Sequence, residues 1–121
     1  MTNNSARLDG IFHALADGTR RAILARLVEG PASVSDLARP FAMALPTLLA
    51  HIRVLEKCRL VASQKIGRVR TCRMDGNAMK SAEAWLAEQR AAFEARFDRM
   101  DAYVLDLKAK ETAHGRRRKT R

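Results

Sequence analysis

A short basic stretch in the middle of the chain has the residue types that bind phosphate groups. Lys65, Arg68 and Arg70 surround Gly67, and no acidic residue interrupts the stretch before Asp75. Ammonium and guanidinium groups pair with the negative charge of a phosphate, and arginine can do so through two hydrogen bonds. These three cations are therefore predicted to contact the backbone of a nucleic acid.

A second set of polar residues precedes this stretch and repeats with the period of an α-helix. Thr47 and His51 are four positions apart, as are Arg53 and Lys57. Hydroxyl, imidazole and guanidinium groups can read base edges, and the two cations also suit phosphate. The same pattern fits the solvated side of an amphipathic helix, so these residues alone leave both interpretations open.

Residues that could perform catalysis or hold a metal do not converge in the sequence. There is no nucleophile elbow, no Gly-rich phosphate loop and no pair of carboxylates in a plausible cleft. The three histidines are scattered along the chain, whereas a zinc site needs about four ligands. The chain is therefore predicted to be no enzyme, with no catalytic residue, no metal ligand and no cofactor.

The two cysteines, Cys58 and Cys72, are too few for a disulfide framework. Cys72 shares its strand phase with Met74, so both are predicted to point inward, and buried thiols are usually inert. A redox pair remains the alternative, although a reactive thiol needs exposure and a lowered pKa. Free thiols fit the reducing cytoplasm, where we expect the protein to act.

The chain as a whole is strongly basic. Its 121 residues include 23 Lys and Arg against 13 Asp and Glu, which gives a net charge of +10. Such a charge attracts polyanions, and nucleic acid is the first candidate. Five of these cations lie in a basic tail at 112–121, and removing them leaves +5. A tail of this kind can also be a solvated segment that adds only non-specific affinity.

These residues must be positioned by a mostly helical domain. Apolar spacing predicts a helix from Leu8, a second helix with Thr19 as N-cap, and a third that begins at Ser33, which has capping-box spacing to Asp36. The remaining predicted elements are a helix at 45–57, strands at 61–66 and 69–74, and a long helix at 81–109. The residues predicted to face the core are Ile23, Leu24, Leu27 and Val28 on the second helix, and Leu45, Leu48, Ile52 and Leu55 on the fourth.

Two helices joined by a short turn and followed by a basic hairpin are the layout of a winged helix-turn-helix. In that fold the second helix of the pair enters the major groove, and the hairpin reaches phosphates or the minor groove. The predicted fold class is mostly α with a small β-hairpin wing, ending in a long C-terminal dimerisation helix. The predicted single domain, 1–121, comprises a flexible N-terminus at 1–6, the helix-turn-helix at 33–58, the wing at 61–74, the dimerisation helix at 81–109 and the basic tail.

The last helix carries apolar residues at the spacing of a coiled-coil seam. A body of four helices and a wing can hardly cover so long a stripe. The stripe is therefore predicted to bind a second copy of the chain, although packing on its own domain remains the alternative. Its predicted interface residues are Trp85, Leu86, Phe93, Phe97, Met100, Val104 and Leu107.

Several short motifs occur along the chain in a specific order. They are Asp36-Leu37-Ala38, Leu45-Pro46-Thr47, His51-Ile52-Arg53-Val54-Leu55-Glu56, Arg59-Leu60-Val61 and Gly67-Arg68, preceded by Asp17-Gly18-Thr19-Arg20. This set resembles the ArsR/SmtB family of regulators, whose second helix starts with a similar Asp-Pro-Thr-Arg. The resemblance implies a winged-helix dimer that represses transcription and is often released from DNA by a ligand. It also implies that the first helix, with Ile11 and Phe12, joins the dimer interface.

Many members of this family sense metals through thiols in the third helix or through acidic and His ligands in the last. The corresponding stretch here, Ser33-Val34-Ser35-Asp36, has no thiol, and residues 81–109 contain neither His nor Cys. The chain therefore resembles a regulator of the non-metal-sensing type. An unknown small-molecule effector is compatible with that resemblance.

Taken together, the sequence predicts a sequence-specific regulator that binds double-stranded operator DNA. We expect a repressor that recognises an inverted repeat as a homodimer, with no membrane partner because no apolar run approaches the ~20 residues that span a bilayer. Two alternatives remain: a protein-interaction module that uses the long helix, and a non-specific nucleic-acid-binding protein.

Overall fold

The computed structural model describes the backbone of residues 2–119 and the side chains of residues 5–114. It divides into two compact units, Met1–Ala84 and Trp85–Arg121. The elements in chain order are α1 (Thr2–Leu15), α2 (Gly18–Val28), β1 (Ala32–Ser33), α3 (Val34–Ala38), α4 (Leu45–Lys57), β2 (Val61–Ile66), β3 (Val69–Met74) and α5 (Gly76–Lys119). The boundaries predicted for α4, β2 and β3 are confirmed.

The helix starts follow from side-chain caps. The hydroxyl of Ser33 accepts a hydrogen bond from the amide of Asp36 at 3.1 Å, as its spacing predicts. The prediction that Thr19 caps α2 is wrong. Asp17 is the N-cap, and its carboxylate accepts from the amide of Arg20 at 3.1 Å. An Asp with extended backbone is as good a cap as Ser or Thr, so α2 begins two residues earlier.

Both terminal helices are longer than predicted. The helix α1 begins at Thr2, six residues before the predicted start at Leu8. The helix α5 begins at Gly76, where the Asp75 carboxylate accepts from the amide of Asn77 at 3.0 Å. At its other end it continues to Lys119, because Ala, Lys, Glu and Arg have high helix propensity even where no apolar stripe is present. Residues 120–121 and the side chains of the basic tail beyond residue 114 lie outside the described residues.

The wing belongs to a three-stranded antiparallel sheet with the order β1-β3-β2. The hairpin was predicted, but β1 was not. This strand has two residues, with Ala32 opposite Cys72 and Ser33 opposite Thr71. Such a short strand has no detectable period, so only its pairing with β3 defines it. It ties the beginning of α3 to the wing.

The core of the first unit lies between α1, α2, α3, α4 and the sheet. Cys72 is fully buried there, which confirms its predicted inward orientation. Two residues predicted to face the core are exposed instead, Val28 at the end of α2 and Leu45 at the start of α4. Both occupy terminal turns, where neighbouring elements no longer cover the apolar face of the helix.

Ile11 on α1 also departs from prediction. It was predicted to contact a second chain, but none of its surface is exposed within the first unit. A side chain with no accessible surface offers nothing to a partner, so Ile11 is a core residue. Its neighbour Phe12 is half-buried and packs against the same core.

The end of α4 is a tight Schellman turn. The amide of Leu60 donates to the carbonyl of Leu55 at 2.9 Å, and the amide of Arg59 donates to the carbonyl of Glu56 at 3.0 Å. Arg59 has a φ of 64°, in the left-handed region that usually holds glycine. The turn directs the chain from α4 into β2.

The second unit consists of residues 85–119 of α5. Two ion pairs between residues four positions apart lie along this segment, Arg90 with Glu94 and Lys110 with Asp106. Within the described residues, no helix is both apolar enough and long enough to cross a membrane.

Candidate nucleic-acid interface

The helix α4 separates an apolar face from a polar one. Leu48, Ile52 and Leu55 are buried in the core. Thr47 and Arg53 lie on the exposed side of the same helix. The helix-turn-helix pair formed by α3 and α4 therefore presents to solvent two of the residues predicted to read bases, Thr47 and Arg53.

The wing concentrates positive charge without a counter-ion of its own. Lys65 on β2 lies directly opposite Arg70 on β3, and both flank the turn at Gly67, whose φ is 63°. Two like charges on opposed residues destabilise a hairpin, and the wing sequence contains no acid to offset them. Such an arrangement favours an external anion.

Arg70 is held in place by the sheet. Its Nη1 donates to the hydroxyl oxygen of Ser63 at 2.9 Å, and the side chain is half-buried. Arg68 at the tip and Lys65 are exposed. The wing therefore offers one oriented guanidinium and two exposed cations, which suit binding to the phosphates of a nucleic-acid backbone.

A cleft joins the wing to the helix-turn-helix. Its volume is about 310 Å³, and it brings all three predicted wing cations together with apolar side chains of α4. Cations suit phosphates, and apolar groups suit the deoxyribose between them. Its lining residues are Ser33, Val34, Ser35, Leu45, Leu49, Lys65, Arg68, Val69 and Arg70. Sequence reasoning missed the contribution of Ser33, Val34 and Ser35, because only the pairing of β1 with β3 brings the start of α3 to the wing.

Lys57 is placed elsewhere. It lines a cavity of about 670 Å³ between α1 and the end of α4, together with Arg7, His13, Cys58 and Arg59. None of the wing cations lines this cavity, and Lys57 does not line the cleft at the wing. The remaining lining residues are Ala6, Asp9, Gly10 and Val54.

His51 is half-buried rather than free on the surface of α4. Its Nδ1 lies 3.2 Å from Nη1 of Arg20 and 3.8 Å from the Asp17 carboxylate. The hydrogen bond from the Arg20 amide, more than the charges of Arg20 and His51, holds the pKa of the Asp17 carboxyl below its usual value. Sequence reasoning missed this cluster, although Asp17 and Arg20 belong to the Asp17-Gly18-Thr19-Arg20 motif.

The two thiols have different surroundings. Burial raises the pKa of the Cys72 thiol, and the nearby Glu56 raises it further. Cys58 is half-buried, and its Sγ donates to the carbonyl of Leu55 at 3.4 Å. Within the described part of the chain, no three His, Cys, Asp or Glu side chains come together as a metal site.

The second unit exposes the predicted seam. Phe93 and Phe97 contact each other edge to face, with ring centroids 4.8 Å apart. Both rings remain largely exposed, as do the apolar residues that continue the stripe toward the end of the helix. The exposed seam residues are Trp85, Leu86, Phe93, Phe97, Met100, Val104 and Leu107.

Comparison with known proteins finds a helix-turn-helix family model and a transcriptional regulator that are similar to this chain. Residues 15–64 match the family model described as a helix-turn-helix domain. The HTH-type transcriptional regulator Rv2034 of Mycobacterium tuberculosis is 43% identical over 67 residues, which cover 55% of this chain and 63% of that protein. The chain therefore spans less than two thirds of that curated relative.

Two solved structures have the same fold. The crystal structure of an ArsR family transcriptional regulator, RHA00566, is 52% identical, with a TM-score of 0.72, and covers 74% of this chain and 93% of its own. The homodimeric winged helix-turn-helix DNA-binding domain of Mb0332 from Mycobacterium bovis is 29% identical, with a TM-score of 0.55. That match covers 78% of this chain and 82% of the other.

Proposed function

The chain belongs to the ArsR family of transcriptional regulators, and from that premise we propose that it represses transcription by binding an inverted-repeat operator as a homodimer. The observation that carries the proposal is the cleft between wing and helix-turn-helix. There three cations with no acidic partner in the wing lie beside Leu45 and Leu49 in the first half of α4. DNA is the polyanion that offers a groove for the helix and phosphates for the wing.

The proposed contacts divide by chemistry. Thr47 and Arg53 read base edges, since they are exposed on the side of α4 opposite its buried residues. Lys65, Arg68 and Arg70 bind phosphate from the wing. Lys57, near the end of α4, adds a phosphate contact outside the cleft.

Dimerisation is the second part of the proposal. The seam on α5 leaves Phe93, Phe97 and Met100 about half exposed in a single chain, and a second copy supplies a complementary apolar surface. The homodimeric relative Mb0332 supports the same arrangement. A symmetric dimer requires a symmetric operator.

An effector has a place to bind. The 670 Å³ cavity beside α1 lies within the range of small-molecule pockets, roughly 300–1,000 Å³. Arg7, Lys57 and Arg59 line it, so an anionic compound suits it best. The regulator acts in the cytoplasm, because the named relatives are bacterial and bacterial DNA lies in that compartment.

Competition binding tests the proposal. Labelled DNA from the promoter upstream of the chain's own gene is titrated with protein while unlabelled random DNA is present in excess. We expect binding of the promoter fragment to survive the competitor. Loss of all preference indicates a non-specific nucleic-acid-binding protein, and no DNA binding at moderate salt indicates a protein-interaction module.

A further inference from the structure

Arg20 connects three parts of the first unit. Its Nε donates to the carbonyl of Ala14 at 2.7 Å, and its Nη2 donates to the carbonyl of His13 at 3.1 Å. These carbonyls end α1, where the last turn of a helix lacks intrahelical donors. The third guanidinium nitrogen, Nη1, lies 3.2 Å from Nδ1 of His51 on α4.

This geometry fixes the proton on the imidazole. A guanidinium has only donors and stays charged, so the Nδ1 atom that it contacts must accept. In the neutral ring the hydrogen then belongs to Nε2, on the far side of the imidazole. Asp17 helps to hold Arg20 at the start of α2, because its carboxylate accepts from the Arg20 amide at 3.1 Å. The same carboxylate is farther from Nδ1 of His51, at 3.8 Å, than the Arg20 guanidinium, at 3.2 Å.

We propose that Arg20 is a positioning residue for DNA recognition, holding His51 as the Nε2–H tautomer so that this hydrogen is donated to an acceptor on DNA. The inference rests on the proposed function and deepens it. It explains why a residue on the recognition helix is anchored to the junction of α1 and α2 instead of being free. Its side chain keeps about a fifth of its surface exposed, enough for one outward contact.

Arg21 provides a matched control. Its Nη1 donates to the carbonyl of Leu15 at 2.8 Å, so it also bonds the end of α1, but no hydrogen bond links it to α4. Replacing either arginine by methionine removes the guanidinium and keeps an unbranched side chain. Only Arg20→Met removes the donor to His51.

The first measurement needs no DNA. The ¹⁵N shifts of the His51 imidazole are recorded for the full chain at mildly alkaline pH. We expect the Nε2–H tautomer in the wild type and in Arg21→Met, and a mixture of tautomers in Arg20→Met. A wild-type ring protonated on Nδ1, or a tautomer unchanged by Arg20→Met, overturns the proposal even if operator binding fails for other reasons.

The second measurement separates positioning from general damage. Arg20→Met should lower operator affinity roughly tenfold, about the value of one specific contact, while Arg21→Met changes it less than twofold. Gln places an amide N–H near the position of Nε2 without a tautomer to control. In a His51→Gln background, Arg20→Met should therefore cost little further affinity.

An equal loss in both backgrounds means that Arg20 acts only through the fold, which contradicts the proposal. Thermal unfolding of each variant identifies any that has lost its structure. Parallel titration with random DNA shows which acceptor His51 meets, because loss of a phosphate contact weakens both DNAs equally and loss of a base contact weakens the operator more. A wild type with no operator preference contradicts the proposed function, while the ¹⁵N result still decides the tautomer.

Discussion

Single side chains divide the candidate interface into two kinds of contact. Lys65 and Arg68 are exposed cations on a wing that has no acid, as expected of residues that neutralise phosphate. Thr47 and Arg53 are exposed on a helix whose other face is buried, as expected of residues that enter a groove. The two kinds should respond differently to salt and to DNA sequence.

Replacing Arg68 by alanine should weaken binding to operator and random DNA by the same factor. The reason is that a phosphate contact releases counterions whatever the sequence, so the salt slope of the affinity falls by about 1. Titrations at several salt concentrations measure both quantities. An unchanged affinity and slope remove the wing tip from the interface.

Thr47→Ala and Arg53→Ala should instead reduce the preference for the operator. Loss of a direct base contact costs about 1–3 kcal/mol of discrimination. The measurement is the ratio of operator affinity to random-DNA affinity, with Arg68→Ala as the control that leaves this ratio unchanged. If both affinities fall equally, these two residues bind phosphate.

The cap at Asp17 predicts a pH effect on stability. Its folded pKa is lowered from 3.8, so its stabilising effect is complete above that value and is lost as the pH falls below it. Asn also caps a helix, but it does not titrate and lacks the attraction between the Asp17 carboxylate and the charges of Arg20 and His51. The difference in unfolding free energy between wild type and Asp17→Asn should therefore shrink between neutral pH and about pH 3. Denaturant unfolding measures it, and a difference independent of pH contradicts the assignment.

At the scale of elements, local patterns decided what could be predicted. The change from helical to strand period placed α4, β2 and β3 at their residues, because each pattern lies within one segment. The strand β1 and the contact between Arg20 and His51 depend on distant parts of the chain. The local sequence around Ala32 or His51 does not indicate their partners, Cys72 and Arg20, because only folding brings these residues together.

The turn after α4 predicts a stabilising substitution. Arg59 adopts a φ of 64°, which a residue with a Cβ adopts only at a cost. Arg59→Gly should raise the free energy of unfolding by about 1 kcal/mol. Lys57→Gly should lower it by about as much, because Lys57 is the last residue of α4 and glycine has low helix propensity. Both remove one positive charge, so denaturant unfolding of the pair isolates the backbone effect. Destabilisation by Arg59→Gly would mean that its side chain packs more strongly than the turn is strained.

Binding to a symmetric operator requires two copies of the whole chain. The exposed stripe on α5 was recognised from its spacing, since a seam of this kind is a property of one helix. The role assigned to Ile11 was wrong because burial depends on the packing of α1, which its own sequence does not reveal.

Phe97→Glu places a charge in this seam and should yield monomers, because an unpaired buried charge is costly. Ala102→Glu adds the same charge to an exposed position outside the seam and should leave the dimer intact. Sedimentation measures the oligomeric state, and circular dichroism checks that both variants keep their helices. A monomeric variant that binds the operator at full strength would show that dimerisation is not required.

Hydroxyl-radical footprinting of the promoter DNA shows whether a dimer of this chain binds a symmetric operator. Two recognition helices related by a two-fold axis should protect two equivalent patches about one DNA turn apart, roughly 34 Å, or a small multiple of that distance. The protected sequences should form an inverted repeat. A single asymmetric patch, or uniform weak protection along the fragment, would contradict the account.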